Sequence, residues 1–454
     1  MTNAILWGKP DAGNPHVRFD EGEVASAKPR RGSLLYKKLM AIVMSALSAA
    51  VTGSLFAAAS TTVAELREAL ATASNDAVIE VAAGTFEISE ELTLAGKSGV
   101  TLKGAGKALT VFTPAKGEGG AALDTRLLHV TNCPSFRLEG ITFRGARRTV
   151  AAEGGAVRIE NATKDANLSI VNCAFIDNRI DAATGAAKGA GLSTYNCGFK
   201  VEGCDFISNV VYSGDNAAAG GAWDNSGTTG PLELVNCVFD MNGSLGYSSS
   251  GAGAFNTSNY DSDKFTNLLI VRNFSYVHKW EDSNGTTKPT AGAFSSVGGT
   301  FYNCTIAHNT SPAIYRPSSG VGEIYYKDTI MWANGRYSIN DARHQTNTIL
   351  EPTVYGNNDT SARSTEDPKF VNGYHLASDS PAINAGSRTA EEAGLTNRTV
   401  RADGELDTGA VDLGYHYTEG IAISAKTLYV NSAAAAEGNG TEGAPYKPKF
   451  QTAG

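Results

Sequence analysis

The sequence predicts an all-β fold: a right-handed parallel β-helix solenoid with a short N-terminal capping helix. Three observations carry that reading. Glycine is in excess, at 50 of 454 residues, about 11% against a usual ~7%. Two short motifs alternate through the middle of the chain with loops of variable length between them, the signature of a repeat architecture. No apolar pattern of helical period and helical length separates the motifs, so no crossover helices are available to cover an open sheet.

The first motif is Gly-Gly-Ala followed by an apolar residue, at Gly154-Gly155-Ala156-Val157 and Gly220-Gly221-Ala222-Trp223, with variants ending at Leu192, Phe255 and Phe294. The second is an N-C-x-F-x-x-N theme. Its clearest copies are Asn172 to Asn178, Gly203 to Asn209 and Asn236 to Asn242, with a fourth at Asn303 to Asn309. Aligned on the cysteine position, the copies fall at 141, 173, 204, 237, about 273, 304 and 329. Side chains two apart on a strand share a face, so Cys and Phe of each copy point inward and the residue between them points outward. Cys173, Cys204, Cys237 and Cys304 then stack as an interior ladder of small buried hydrophobes, a role their apolar replacements in the same column favour over disulfides. Cys133 and Cys197 lie outside it, about two coils apart. Asn178, Asn209, Asn242, Asn309 and Asn334 close the motif where the strand must turn, and read as a structural amide ladder. Trp223 shares the apolar column of Val157, Leu192, Phe255 and Phe294 and reads as core.

The ends fit the same plan. Val63 to Ala73 is a short amphipathic helix that covers the open end of the stack, and Val78 to Phe86, Leu92 to Leu94 and Val100 to Leu102 read as strands of the first coils. Residues 39–59 form an uncharged apolar run behind Lys37 and Lys38 and end in Ala57-Ala58-Ala59, the pattern of a secretory signal peptide; a retained signal anchor is the alternative. The expected organisation is a polar extension over 1–34, untranslated if initiation falls at Leu35, a signal peptide over 35–59, the β-helix over 60–334, a distinct segment over 335–418, and over 419–454 a linker and the start of a truncated second unit. Export implies a secreted or cell-surface location in a bacterium, with membrane contact only through the signal or an anchor.

The alternating GGA-apolar and F-x-x-N motifs resemble the repeats of polymorphic outer membrane proteins. The tail Asp367-Pro-Lys-Phe370, Ser380-Pro-Ala-Ile-Asn-Ala-Gly386, Arg401-Ala-Asp-Gly404 and Asp412-Leu-Gly-Tyr-His-Tyr417 is similar to the segment that ends bacterial choice-of-anchor Q proteins. These resemblances imply a surface-exposed, adhesive β-helix, and they extend over about residues 62 to 418. No run of alternating ten-residue strands follows 418, so the membrane barrel of the first family is not expected.

Charge narrows the function. The formal net charge is −8, without the basic stripe that nucleic-acid binding needs. The seven histidines form no H-x-H or H-x-x-x-H pair and the cysteines form no C-x-x-C pair, so no metal and no cofactor is expected. Two candidate ligand-binding groups stand out: the basic set Arg144, Arg147 and Arg148, and the mixed loop of Tyr276, His278, Lys279 and Trp280 with Glu281 and Asp282. An eliminating lyase needs a base beside a cation that neutralises the uronate, and a hydrolase needs clustered carboxylates. The outward column between Cys and Phe offers Asp205 alone, and Asp328 stands about four coils away. The sequence therefore favours a monomeric, non-catalytic adhesin or polysaccharide-binding protein whose partner is an extracellular polysaccharide or host-surface glycan. A polysaccharide lyase or hydrolase built from the loops 210–232, 243–265 and 276–290 is the alternative, and a structural stalk is a third reading.

Overall fold

The computed structural model describes residues 59–162, 169–227, 232–247, 249–257, 263–277, 291–295, 297–310, 312–315, 323–334, 344–350 and 363–418. The 1–34 extension, the signal segment up to residue 58 and the 419–454 tail lie outside these residues. Helix α1, Val63–Thr72, opens the fold and buries Leu66 and Leu70. Its N-terminus is a capping box in which the Thr62 hydroxyl accepts from the Glu65 amide and the Glu65 carboxylate accepts from the Thr62 amide.

Behind the helix the chain winds as a parallel β-helix. Three long parallel sheets run along it: sheet A from Val78–Val81 to His344–Thr346, sheet B from Gly84–Ile88 to Arg363–Ser364, and sheet C from Leu92–Ala95 to Ile314–Tyr315. Each sheet pairs strands from successive coils, so residues in equivalent repeat positions become neighbours ~4.8 Å apart. Sheets A and B run past 334, where the sequence repeat fades, through Thr348–Leu350 and Arg363–Ser364.

The interior follows the repeat. Phe86, Phe112, Phe143, Phe175, Phe206 and Phe239 form one continuous column at 4.7 to 5.5 Å between centroids, edge-to-face from Phe86 to Phe143 and stacked from Phe143 to Phe239. Val157, Leu192, Trp223, Phe255 and Phe294 form the facing column, with the Trp223 indole donating to Thr194 Oγ1 at 2.8 Å. The six cysteines are buried free thiols. In the cysteine column the register corrects the sequence alignment at one coil. Phe239 pairs with Ile270, so Leu268 occupies the cysteine position and Asn273 belongs to the asparagine ladder.

That ladder runs Asn178, Asn209, Asn242, Asn273, Asn309, Asn334, each side-chain amide donating to the next Oδ1 at 2.9 to 3.0 Å. The left-handed turn residue is the one before the asparagine: Asp177, Ser208, Met241, Arg272, His308 and Ala333 have φ between 52° and 56°. The asparagine instead satisfies backbone groups of the turn, as when Asn209 Nδ2 donates to the Phe175 carbonyl at 2.8 Å.

Between residues 147 and 277 successive coils carry an excursion between sheets B and C. It forms sheet D (Arg147–Arg148, Arg179–Ala182, Val210–Ser213, Gly243–Gly246, Phe274–Val277) and sheet E (Ala152–Glu153, Ala187–Lys188, Ala217–Ala219, Ser249–Ser250). The two pack together through Ile180, Ala182, Ala187, Ala190, Val211 and Ala218. Small side chains keep them close, so the pair projects as a thin fin along the solenoid.

Residues 365–418 fold back over the outer face of sheet B. Val238, Leu269, Val271 and Ala307 meet Tyr415 and Tyr417, and Ile330 and Ile349 meet Leu376, Val400 and Leu413. The turn between sheets A and B clips this cover in place. Asn267 exchanges two hydrogen bonds with the His416 backbone at 2.6 and 3.0 Å, Asn303 Oδ1 accepts from Arg388 at 2.7 Å, and the Asp328 carboxylate accepts from the Ser387 amide at 2.7 Å. The D-L-G-Y-H-Y stretch is thus the last strap of the fold.

Candidate functional site

The Gly-Gly-Ala motif makes the bend that leads from the fin into sheet C. Gly220 has φ +57°, and a Cβ on it would lie 2.3 Å from the Trp223 carbonyl oxygen. A Cβ on Gly221 would lie 2.2 Å from the carbonyl oxygens of both Gly243 and Gly253. Backbone fills the space where a side chain would start at Gly220 and Gly221, so the bend of this coil requires glycine at both. Its effect is a long corner between sheet E and the outer face of sheet C.

The residue after the apolar position of the motif projects into that corner. In register this column reads His129, Arg158, Ser193, Asp224 and Asn256, and two residues on comes Thr131, Glu160, Tyr195 and Ser226. Sheet E contributes Glu153 and Lys188 in adjacent coils. The charges form one continuous row: Arg126 meets Glu91 at 2.6 Å, His129 lies between Glu91 at 3.2 Å and Glu160 at 2.7 Å, Arg158 meets Glu160 at 2.9 Å and Glu153 at 3.3 Å, and Lys188 meets Glu153 at 3.2 Å.

The electrostatics follow from those pairings. Hydrogen bonding to Glu91 holds the His129 imidazolium above its ordinary pKa. At the floor of the corner, Asp224 is 1% exposed. It accepts from Asn256 Nδ2 at 2.8 Å and from Ser226 Oγ at 3.3 Å. Burial pushes its carboxyl up to about 6 against the pull of the Asn256 bond and the nearby Lys188 charge. Beside it Tyr195 is 46% exposed, with its ring edge against the position a Gly227 Cβ would take, at 3.0 Å.

Of the residues the sequence singled out, Arg147 donates to the Asp177 carbonyl and faces its carboxylate at 3.3 Å, while Arg148 meets Asp124 at 2.7 Å. Arg144 is exposed on sheet B. The three therefore do not converge. Tyr276 lies on sheet D, in the same sheet as Arg147 and 40% exposed. His278, Lys279, Trp280, Glu281 and Asp282 lie outside the described residues, as does most of the loop 276–290. The segments 210–226 and 243–247, expected as catalytic loops, are strands of the fin and sheet C. Asp205 is taken by Lys107 at 2.8 Å, and Asp328 by the C-terminal cover. Sequence reasoning missed the corner row, although the position after each GGA-apolar motif marks half of it.

Among the described residues no group of three or more His, Cys, Asp or Glu is placed to hold a metal ion. No helix among them is long and apolar enough to cross a membrane.

The fold and its ladders define a parallel β-helix solenoid. No family model matches the chain, and no curated protein matches it. Among solved structures it is similar to ORF18 of Geobacillus virus E2, at 11% identity over 64% of this chain and 53% of that one, with a TM-score of 0.37. It is also similar to a mutant of the PL6-family alginate lyase AlyGC, at 10% identity over 83% of this chain and 60% of that one, with a TM-score of 0.26. The chain thus spans between half and three-fifths of those proteins.

Proposed function

We propose that this protein is an exported, cell-surface β-helix that binds a polysaccharide or host glycan without cleaving it, as its likeness to polymorphic outer membrane protein repeats and choice-of-anchor Q segments implies. The observation that carries the reading is the corner row between sheets E and C. It is a continuous line of hydrogen-bonding side chains along the corner, edged by the exposed Tyr195. Within it Arg126, His129, Arg158 and Lys188 each already face a carboxylate within 3.3 Å. A balanced row of this kind suits the hydroxyls of a sugar chain, which need donors and acceptors in alternation. Elimination from a uronate needs a cation left over for the substrate carboxylate, and every cation of this row has its partner.

The test is retention of the protein on a panel of immobilised polysaccharides, for wild type, Tyr195→Ala and Arg158→Ala, with the same polysaccharides in solution followed at about 232 nm for unsaturated products. Binding by wild type, weakened in both variants with no absorbance gain, is the expected result. Product formation from any substrate would establish the lyase alternative, and reducing ends released without absorbance would establish the hydrolase.

A further inference from the structure

The opposite side of the fin carries a different surface. On sheet D the inward positions are Ile180 and Val211, so the outward positions are those on either side of them. In register one outward column reads Arg147, Arg179, Val210, Gly243, Phe274 and the other Asp181, Tyr212, Leu245, Tyr276. The first two coils of this face are charged and internally neutralised, with Arg147 on Asp177 at 3.3 Å and Arg179 on Asp181 at 2.6 Å. The next three change character. Tyr212, Leu245, Phe274 and Tyr276 are contiguous, with Val210 buried beside them, and the Phe274 ring tip occupies the space above Gly243, 2.1 Å from where a Cβ would be. Glycine at 243 is what lets that ring lie down on the sheet. Tyr276 is 40% exposed at the end of the row.

We infer that this face is a second ligand site, which takes an uncharged, extended glycan chain lying along the solenoid axis, with sugar rings stacked on Tyr212 and Tyr276. Four features select that occupant. The apolar groups recur once per coil in a straight line, so Tyr212 and Tyr276 stand about 10 Å apart along the axis, and a periodic surface matches a periodic polymer. The patch is about 10 Å long and about 7 Å wide, far below the roughly 800 Å² per partner that a stable protein interface buries, so a second copy of this chain does not fit it. Tyrosine supplies a flat apolar ring with a hydroxyl at its rim, which suits the apolar face and polar edge of a hexose. The neutralised Arg179–Asp181 pair beside the patch offers no attraction to an acidic chain. The inference shares with the proposed function only the chemical class of ligand, and the two sites lie on opposite sides of the fin.

Affinity electrophoresis of the full chain in gels containing soluble hydroxyethylcellulose or, separately, alginate tests it, with wild type, Tyr212→Ala/Tyr276→Ala, Tyr276→Phe and Arg158→Ala. Retardation by the uncharged polymer, reduced about tenfold in the double variant and kept in Tyr276→Phe and Arg158→Ala, is the expected result. Both tyrosines point outward, and matching circular dichroism shows that the double variant folds. The inference is overturned by no retardation in the uncharged polymer, by retardation in alginate alone, by equal retardation of wild type and the double variant, or by self-association that Tyr276→Ala abolishes. Loss of binding in Arg158→Ala alone would support the corner and overturn the fin site.

Discussion

His416 places Nε2 2.7 Å from Oδ2 of Asp407, and both side chains are shut off from solvent beneath the C-terminal strap. The other ring nitrogen, Nδ1, faces the Gly414 carbonyl oxygen at 2.9 Å and so donates to it. Asp407 Oδ2 also accepts the Asp412 amide at 2.9 Å. One carboxylate oxygen thus holds a ring and a backbone group in register with the strap that Asn267, Asn303 and Asp328 clip to the solenoid. His416 of the tail motif and Asp407, which precedes that motif, are thus explained by folding.

Asp407→Ala removes the acceptor of two buried donors. A buried donor left unsatisfied costs about 1–3 kcal/mol, so the expected loss of stability is about 2–4 kcal/mol, read as a shift of the denaturant midpoint. The glycan binding proposed for the corner between sheets E and C should persist in the folded variant, because that face lies away from the strap. An unchanged midpoint would show that the strap contributes nothing to the stability of the coils.

Asn209→Ala interrupts the amide ladder at an interior rung. It strips the acceptor from the Asn178 amide nitrogen at 2.9 Å and the donors from the Phe175 carbonyl at 2.8 Å and Asn242 Oδ1 at 2.9 Å. The expected cost is again about 2–4 kcal/mol. Because a solenoid is held by nearest-neighbour contacts, hydrogen exchange should accelerate first in coils next to residue 209 and least near α1. Uniform acceleration would contradict the neighbour-only picture.

All six thiols are buried, and burial pushes Cys197 and Cys304 up to about 12. In-register parallel strands hold stacked Cβ atoms near the ~4.8 Å strand spacing, wider than the ~3.8 Å typical across a disulfide. The native protein should therefore leave a thiol reagent such as DTNB unreacted at pH 8 and titrate six thiols after unfolding. Prompt reaction in the native state, or fewer than six thiols in the unfolded chain, would contradict the reduced, closed column.

Much of this was legible in the sequence because the repeat imposes the register. Cys173, Phe175 and Asn178 declare inward, inward and turn by their spacing, and Trp223 declares itself core by its column. The coil at 263–274 misled because it lacks the cysteine: Asn273 was aligned by proximity to that column, while its amide partners Asn242 and Asn309 put it in the ladder. The left-handed residues, one before each asparagine, were not legible, since Asp177 and Ser208 give no stronger signal than the asparagines that follow them. The cover over sheet B was not legible at all. The outward column Val238, Leu269, Thr305, Ile330 is mostly apolar, but nothing in a one-dimensional pattern says which distant segment closes over it. The corner row was half legible, because Arg158 and Asp224 follow the GGA motif directly, whereas Glu153 and Lys188 reach it only through the fin.

Asp224 makes the stability of the corner depend on pH in an unusual direction. Its carboxyl titrates near 6 in the folded chain, against about 3.9 when unfolded. Between those values the native state holds more protons than the unfolded state, so stability falls as pH rises through the window from about 4 to about 6, and stays lower above it. Two units correspond to roughly 3 kcal/mol. Glu91 and Glu160 run the other way: desolvation raises them, but His129 and the arginines outweigh it and hold both below the ordinary carboxylate range, so their contribution is lost as pH falls. Total stability therefore mixes the two signs, and the Asp224 share is isolated by difference. Asp224→Asn keeps the shape of the side chain and removes the titration. Its unfolding free energy should gain on wild type by roughly 3 kcal/mol between pH 4 and pH 7, measured by urea unfolding at each pH. Parallel curves would show that Asp224 ionises in the fold as it does in the unfolded chain.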